Sequence, residues 1–197
     1  MVSIMDIEKT NGGVKDSLGD HINIGIVTVS DRAFNQEYID EGGPKIIEFF
    51  SEIMDSSWTT YSLIIPDEQK EIEDTLIHLT DELNCSFVVT TGGTGPTTRD
   101  VTPDATIAIA DRELPGFGEL MRSISLKYVP TAILSRQIGV IRGKSLIINL
   151  PGQPKAIRET IDEIFLAIPY CIDLIEGPYI ETKREVINPF RPKYAKR

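Results

Sequence analysis

Phe87-Val88-Val89-Thr90-Thr91-Gly92-Gly93-Thr94-Gly95-Pro96 is the stretch that decides the fold. Its apolar start reads as a buried strand that runs straight into a glycine turn. Beyond it, Thr102-Pro103-Asp104 reads as the opening of a helix, with Thr102 as N-cap and Pro103 at the first helical position. Strand, glycine loop and helix in succession form the repeating unit of an α/β protein. Glycine at 92, 93 and 95 lets backbone amides face outward and leaves room for a bulky anion against the main chain. Phosphate is the usual anion in such a place.

The same alternation extends in both directions. Upstream, Ile22 to Val29 reads as a strand ending at Ser30-Asp31-Arg32, and Gly42-Gly43-Pro44 opens a helix through about Met54. Tyr61 to Ile65 is a second strand, ending at Pro66-Asp67. Glu68 to Leu83 is an amphipathic helix with Ile72, Leu76, Leu79 and Leu83 on one stripe. Downstream, a helix is expected over about Gly118 to Lys127 and strands over Gly139 to Arg142 and Ser145 to Leu150. Pro151-Gly152-Gln153-Pro154 launches a helix to about Ile164, and residues 165 to 176 read as helical. The fold class is α/β with a mostly parallel sheet, in one domain over residues 22–190. Residues 1–21 lack periodicity and read as a flexible extension, and residues 191–197 as a basic, solvated tail.

Composition narrows the functions. With 41% hydrophobic and 25% charged residues the chain is typical of a soluble globular protein. No apolar run approaches a membrane span and the N-terminal segment has no apolar core, so neither membrane nor secretory targeting is expected. A net charge of −10 argues against nucleic acid as a partner. Cys85 and Cys171 lie inside apolar patterns and read as free thiols, which suits a cytoplasmic location. His21 and His78 are the only histidines, too few for a zinc-type cluster. His78 lies off its helix's apolar stripe and reads as exposed; Trp58 reads as strand packing.

In a parallel sheet, ligands bind beyond the carboxyl ends of the strands. Ser30-Asp31-Arg32, Asp67, the glycine loop and Asn149 with Pro151-Gly152 all fall at such ends. Gly139 to Ser145 resembles a P-loop, but has one residue too few between its glycines and leads into a strand. A dinucleotide fingerprint would need glycine at 98, where Thr98 stands. The loop therefore reads either as a tight strand-to-helix turn or as a phosphate site, with Thr90, Thr91 and Thr94 adding hydroxyls. Asp67 reads as a plain N-cap or a site carboxylate, and Asp100 as a surface ion pair or the second member of a pair. Two carboxylates beside a phosphate make sense around a magnesium ion. Asp104 in a first helical turn is favoured by the helix dipole in any case. Ser135-Arg136 is an anion clamp or a helix end. Asn149 with Gly152 and Lys155 forms a second anion site or a capped turn.

The ordered set Val29-Ser30-Asp31-Arg32, Ile65-Pro66-Asp67-Glu68, Thr90 to Pro96, Arg99 to Thr106, Pro115 to Glu119, Leu134-Ser135-Arg136 and Asn149-Leu150-Pro151-Gly152 resembles the MogA type of molybdopterin adenylyltransferases, within the wider MogA/MoaB family. The resemblance spans roughly residues 22 to 193. It implies a three-layer α/β sandwich, a homotrimer, and magnesium-ATP-dependent adenylylation of the molybdopterin phosphate with release of pyrophosphate. A separate molybdate-insertion enzyme would act downstream. Residue by residue, it implies Asp67 and Asp100 as catalytic carboxylates that hold Mg2+. It implies Thr91, Gly92, Gly93, Thr94 and Gly95, with Ser30 and Asp104, on the nucleotide. Ser135, Arg136, Asn149 and Gly152 fall on the molybdopterin. The alternative is a non-catalytic molybdopterin-binding or scaffolding module of the same fold, which has no reason to keep both carboxylates beside the loop.

Overall fold

The computed structural model describes residues 7–14 and 17–195. Four parallel strands form its centre in the order β3 (Trp58–Ile65), β2 (Ile22–Val29), β4 (Phe87–Thr91) and β7 (Ser145–Leu150). These are runs such as INIGIVTV and SLIINL, apolar on both faces as strands covered on both sides must be. Three antiparallel strands complete the sheet. β1 (Glu8–Gly12) pairs with β3, β6 (Gly139–Arg142) with β7, and β5 (Arg112–Glu113) with β6.

Helices cover both faces. On one side α2 (Gly42–Ile53), α5 (Pro115–Ser125) and α6 (Pro154–Ile164) bury Phe49, Phe50, Met121, Ile157 and Ile161 against Ile24, Ile26, Val89 and Ile148. Phe49 and Phe165 meet edge to face at 5.3 Å, and Phe50 and Phe87 at 6.0 Å. On the other side α3 (Gln69–Ile77) and α4 (Thr102–Ala108) bury Ile72, Leu76 and Ala105 against Val27, Val88 and Ile147. The short α1 (Asp31–Phe34) follows β2, and α7 (Ile168–Leu174) closes the helical series. The expected three-layer sandwich around a mostly parallel sheet is thus found. Among the described residues, no helix is long and apolar enough to cross a membrane. Both cysteines are free thiols, and burial pushes Cys85 up to about 12.

Several local expectations are corrected. The loose extension expected over residues 1–21 is, at Glu8–Gly12, an edge strand. Its side chains are mostly exposed and its attachment is backbone pairing, so it carries no apolar alternation to read. Residues 1–6 lie outside the described residues. The tail expected to be solvated is anchored at Arg191, whose guanidinium pairs with Asp173 at 2.6 Å and lies 4.2 Å from the Tyr179 ring centroid; Lys196 and Arg197 lie outside the described residues. The helix expected from Glu68 to Leu83 changes at His78 into a π turn (His78–Glu82). There Thr80 Oγ1 donates back to the Leu76 carbonyl. His78 is largely covered rather than exposed, with Nδ1 3.0 Å from Glu82. Trp58 is buried, as strand packing requires.

The chain passes from β2 outward to β3 and then returns to the other side of β2 as β4. The crevice beyond the ends of β2 and β4 is therefore the point where strand order reverses, and it places the glycine loop.

Candidate active site at the glycine loop

β4 ends at Thr91, and Gly92 and Gly93 follow with φ of +97° and +60°. Both lie in the left-handed region that favours glycine. The close approaches explain the choice further. A Cβ at Gly92 would be driven into the Val29 carbonyl oxygen, and one at Gly93 into Thr102 Oγ1 and to 3.0 Å from Asp67 Oδ1. At Gly95 an added Cβ would stand 2.8 Å from Asp100 Oδ2. The loop thus brings Asp67 and Asp100 to two glycines that are neighbours but one.

Each carboxylate is held by backbone. Asp67 Oδ2 accepts the Asp31 N–H at 2.8 Å, and its other oxygen faces Gly93. Burial raises the Asp67 carboxyl above its ordinary range, and the Asp31 and Asp100 charges push the same way. Asp100 Oδ2 accepts the N–H and the hydroxyl of Thr97, at 2.9 and 2.6 Å. Burial alone would raise Asp100, but the Thr97 and Gly95 hydrogen bonds and the field of Arg136 hold it below the usual carboxylate range. The alternative of a surface ion pair between Asp100 and Arg99 is not what forms. Arg99 turns to Asp31, donating from Nη2 at 2.7 Å, and to Glu68, donating from Nη1 at 2.8 Å. Among the described residues, no group of three or more His, Cys, Asp or Glu side chains could hold a metal ion. Mg2+ needs no such cage: one or two carboxylates plus substrate phosphates suffice, and this pair of oxygen donors fits it.

The remaining expected residues divide. Thr91 Oγ1 donates to the Pro151 carbonyl at 2.8 Å, and Gly152 packs on Gly92, so the β7 turn lies against the loop. Ser30 caps α1, its Oγ accepting the Ala33 N–H at 3.3 Å and the Tyr38 hydroxyl at 3.1 Å. Thr94 is buried, and its carbonyl accepts the Arg136 N–H at 2.8 Å. Ser135 is half-buried at the edge of the same region.

Arg136 is turned inward. Its guanidinium donates to the Gly95 carbonyl at 3.0 Å, to the Asp100 carbonyl, and bidentately to Asp104 at 2.9 and 2.8 Å. The Asp104 carboxyl is held low by that pairing. Arg136 thus clasps the loop to α4, where an open anion clamp was expected. Asn149 is fully buried on β7, where its amide donates to the Thr90 and Thr106 hydroxyls at 3.0 Å each and stiffens the layer beneath the loop, while its Oδ1 has no hydrogen-bond partner. Thr102 does not cap α4 either. Val101 is the N-cap, and the Thr102 N–H donates to the Gly93 carbonyl at 3.1 Å.

Two further carboxylates stand at this rim: Asp31, placed there by the sequence without a role, and Asp40, which its pattern did not single out. Asp31 exchanges hydrogen bonds with Asp67. Asp40 accepts from the Gly42 and Gly43 amides and from Thr28 at 2.9 to 3.1 Å, closing the N-terminus of α2. The local signals were present: an acidic residue after a strand and another before Gly-Gly.

A mostly parallel sheet with a glycine loop and an acidic pair at its switch point is an α/β domain whose candidate site lies where such sheets place their ligands. Residues 25–170 match the family model described as a probable molybdopterin binding domain, and the chain belongs to that family. Molybdopterin adenylyltransferase of Escherichia coli K12 is 54% identical over 188 residues, covering 89% of this chain and 96% of that protein. The molybdopterin adenylyltransferase of Helicobacter pylori 26695 is 55% identical over 172 residues, covering 87% and 98%. Among solved structures, the molybdopterin biosynthesis enzyme MoaB of Thermus thermophilus superposes with a TM-score of 0.73 at 37% identity, covering 80% of this chain and 99% of that one. The molybdopterin biosynthesis Mog protein of Mycobacterium ulcerans gives 0.70 at 31%, covering 78% and 99%.

Proposed function

We propose that the chain is a molybdopterin adenylyltransferase: an oxygen of the molybdopterin terminal phosphate bonds to the α-phosphorus of ATP, the bond to the β-phosphate breaks, and pyrophosphate leaves. The observation that carries this reading is the placement of Asp67 beside Gly93 and Asp100 beside Gly95, two carboxylates from different loops set against one phosphate-type glycine loop. The relatives named above support it.

The chemistry asks little of side-chain nucleophiles. The attacking phosphate is already an anion, so the protein supplies position and charge. Backbone amides of Gly92 to Gly95, with Thr91, Ser30 and Asp104 around them, orient the nucleotide. Asp67 and Asp100 hold Mg2+, which when bound offsets the negative charge of the phosphates. Ser135 and Gly152 line the molybdopterin side, and Arg136 keeps the loop in place. The enzyme works in the cytoplasm as a homotrimer and passes its product to a molybdate-insertion enzyme.

The test is pyrophosphate release from magnesium-ATP with and without molybdopterin. Release should require molybdopterin and fall by at least about 10²-fold in Asp100→Ala. Tight molybdopterin binding without release would instead leave a scaffolding module.

A further inference from the structure

The parallel ladder of β2 and β3 runs to Val29 opposite Ile65, and the Ser30 N–H still donates to the Ile65 carbonyl at 2.9 Å. One residue further, side chains continue it. The Asp31 N–H donates to Asp67 Oδ2 at 2.8 Å, and the Asp67 N–H donates to Asp31 Oδ1 at 3.0 Å. The free side of the Asp31 carboxylate takes Arg99, from Nε at 3.2 Å and from Nη2 at 2.9 and 2.7 Å. Arg99 also donates to Glu68, directly after Asp67 on the approach to α3, and is itself bonded through the main chain to Asp100.

We infer that Asp31 is a positioning residue for the acidic pair: it fixes Asp67 by exchanging backbone bonds with it, and fixes the segment carrying Asp100 through Arg99. Asp67 and Asp100 are 33 residues apart in the chain and belong to different loops. A site in which two carboxylates share one Mg2+–nucleotide must hold their spacing, and the groups that hydrogen-bond a ligating carboxylate set its orientation. Among the described residues, Asp31 is the one whose side chain hydrogen-bonds with both Asp67 and Arg99. Its reach across the end of β2 explains why an acidic residue stands in an already acidic rim. The Arg99 guanidinium offsets that charge and holds the Asp31 carboxyl low. The inference rests on the adenylyltransferase reading.

The test uses the full chain with Asp31→Ala, Asp31→Asn and Arg99→Gln. Mn2+ binding is read by electron paramagnetic resonance in the presence of ATP and absence of molybdopterin, and steady-state pyrophosphate release is measured with Mg2+. Asp31→Ala should weaken Mn2+ binding and lower kcat by about 10- to 100-fold, the range found when partners of metal ligands are removed. KM for molybdopterin should stay within about 2-fold, because only uniform binding would move KM alone. Asp31→Asn keeps an oxygen for the Asp67 N–H and should recover most of the loss. The double variant Asp31→Ala with Arg99→Gln should be little worse than the poorer single one, since both cut one link. Unchanged Mn2+ binding and kcat in Asp31→Ala, or full additivity in the double variant, would overturn the role. A wild-type chain that releases no pyrophosphate with molybdopterin would sink the reaction and the inference together. A wild type that turns over beside an unimpaired Asp31→Ala sinks the inference alone.

Discussion

The α-carbon of Gly93 faces the carboxylate of Asp67 closely enough that a methyl group there would sit 3.0 Å from Oδ1 and collide with Thr102 Oγ1. Loop and acid are fitted to each other by the absence of one side chain. Gly93→Ala should therefore fail twice. The φ of +60° costs an alanine about 1–2 kcal/mol, and relief of the collision moves the loop off the acid. Pyrophosphate release should drop about 10²-fold, since small misplacements at a reacting centre cost that much, while the melting temperature falls by only a few degrees.

Asp67 should trade stability for activity. Its carboxyl is raised by burial, so the folded chain binds that proton more tightly than the unfolded chain. That contribution to stability is present at low pH and is lost as pH rises through the raised value. At neutral pH the ionised Asp67 is a burden on the fold. Asp67→Asn, whose amide oxygen still accepts the Asp31 N–H, should raise the melting temperature at pH 7 while cutting turnover at least about 10²-fold. The gain should shrink as pH is lowered toward 4. Asp31, Asp100 and Asp104 are shifted down and work with the opposite sign: their contribution is present above the ordinary carboxylate range and is lost as pH falls through their lowered values.

Asn149→Ala tests whether that residue supports or recognises. The substitution leaves the Thr90 and Thr106 hydroxyls without their shared donor in a fully buried layer. A loss of about 2–3 kcal/mol is expected, seen as a melting temperature lower by roughly 4–12 °C. KM for molybdopterin measured well below the transition should be unchanged. A selective rise in KM at full stability would return Asn149 to the ligand.

Trp58 is the single tryptophan and reports on β1. Its ring lies where a Cβ of Gly12 would stand. Gly12→Val should lift the edge strand from the indole, shift the emission to longer wavelength and destabilise the fold by about 1–3 kcal/mol. Emission identical to wild type would mean that the strand does not cover the ring.

How much of this could be read beforehand follows from what each element uses to hold itself. β2, β6 and β7 are specified by their own apolar side chains and are found where the pattern puts them. β1 is specified by partners 46 to 54 residues away, with Asn11 opposite Thr59 and Gly12 opposite Trp58, and leaves no trace in its own composition. The same distinction runs through the site. Gly92, Gly93 and Gly95 announce themselves because only local conformation demands them. Arg136 and Asn149 carry functional-looking side chains, yet their partners, Asp104 and the Thr90–Thr106 pair, lie 32 to 59 residues away and turn them inward. Arg99 points to Asp31 rather than to its neighbour for the same reason.

The two margins of the sheet have a bearing on how the molecule meets its own copies. One is the short Glu8–Gly12, polar and mostly exposed; the other is two residues long, Arg112 and Glu113. Charged, brief borders offer a poor template for a further strand, so a second chain gains little by adding itself to the ladder. Exposed apolar side chains are found off these borders as well, among them Leu120 on α5 and Leu126, Tyr128 and Ile133 in the segment that follows it. Crowded together, such molecules are steered away from endless ribbons, and fibril growth from the native state has no ready starting edge.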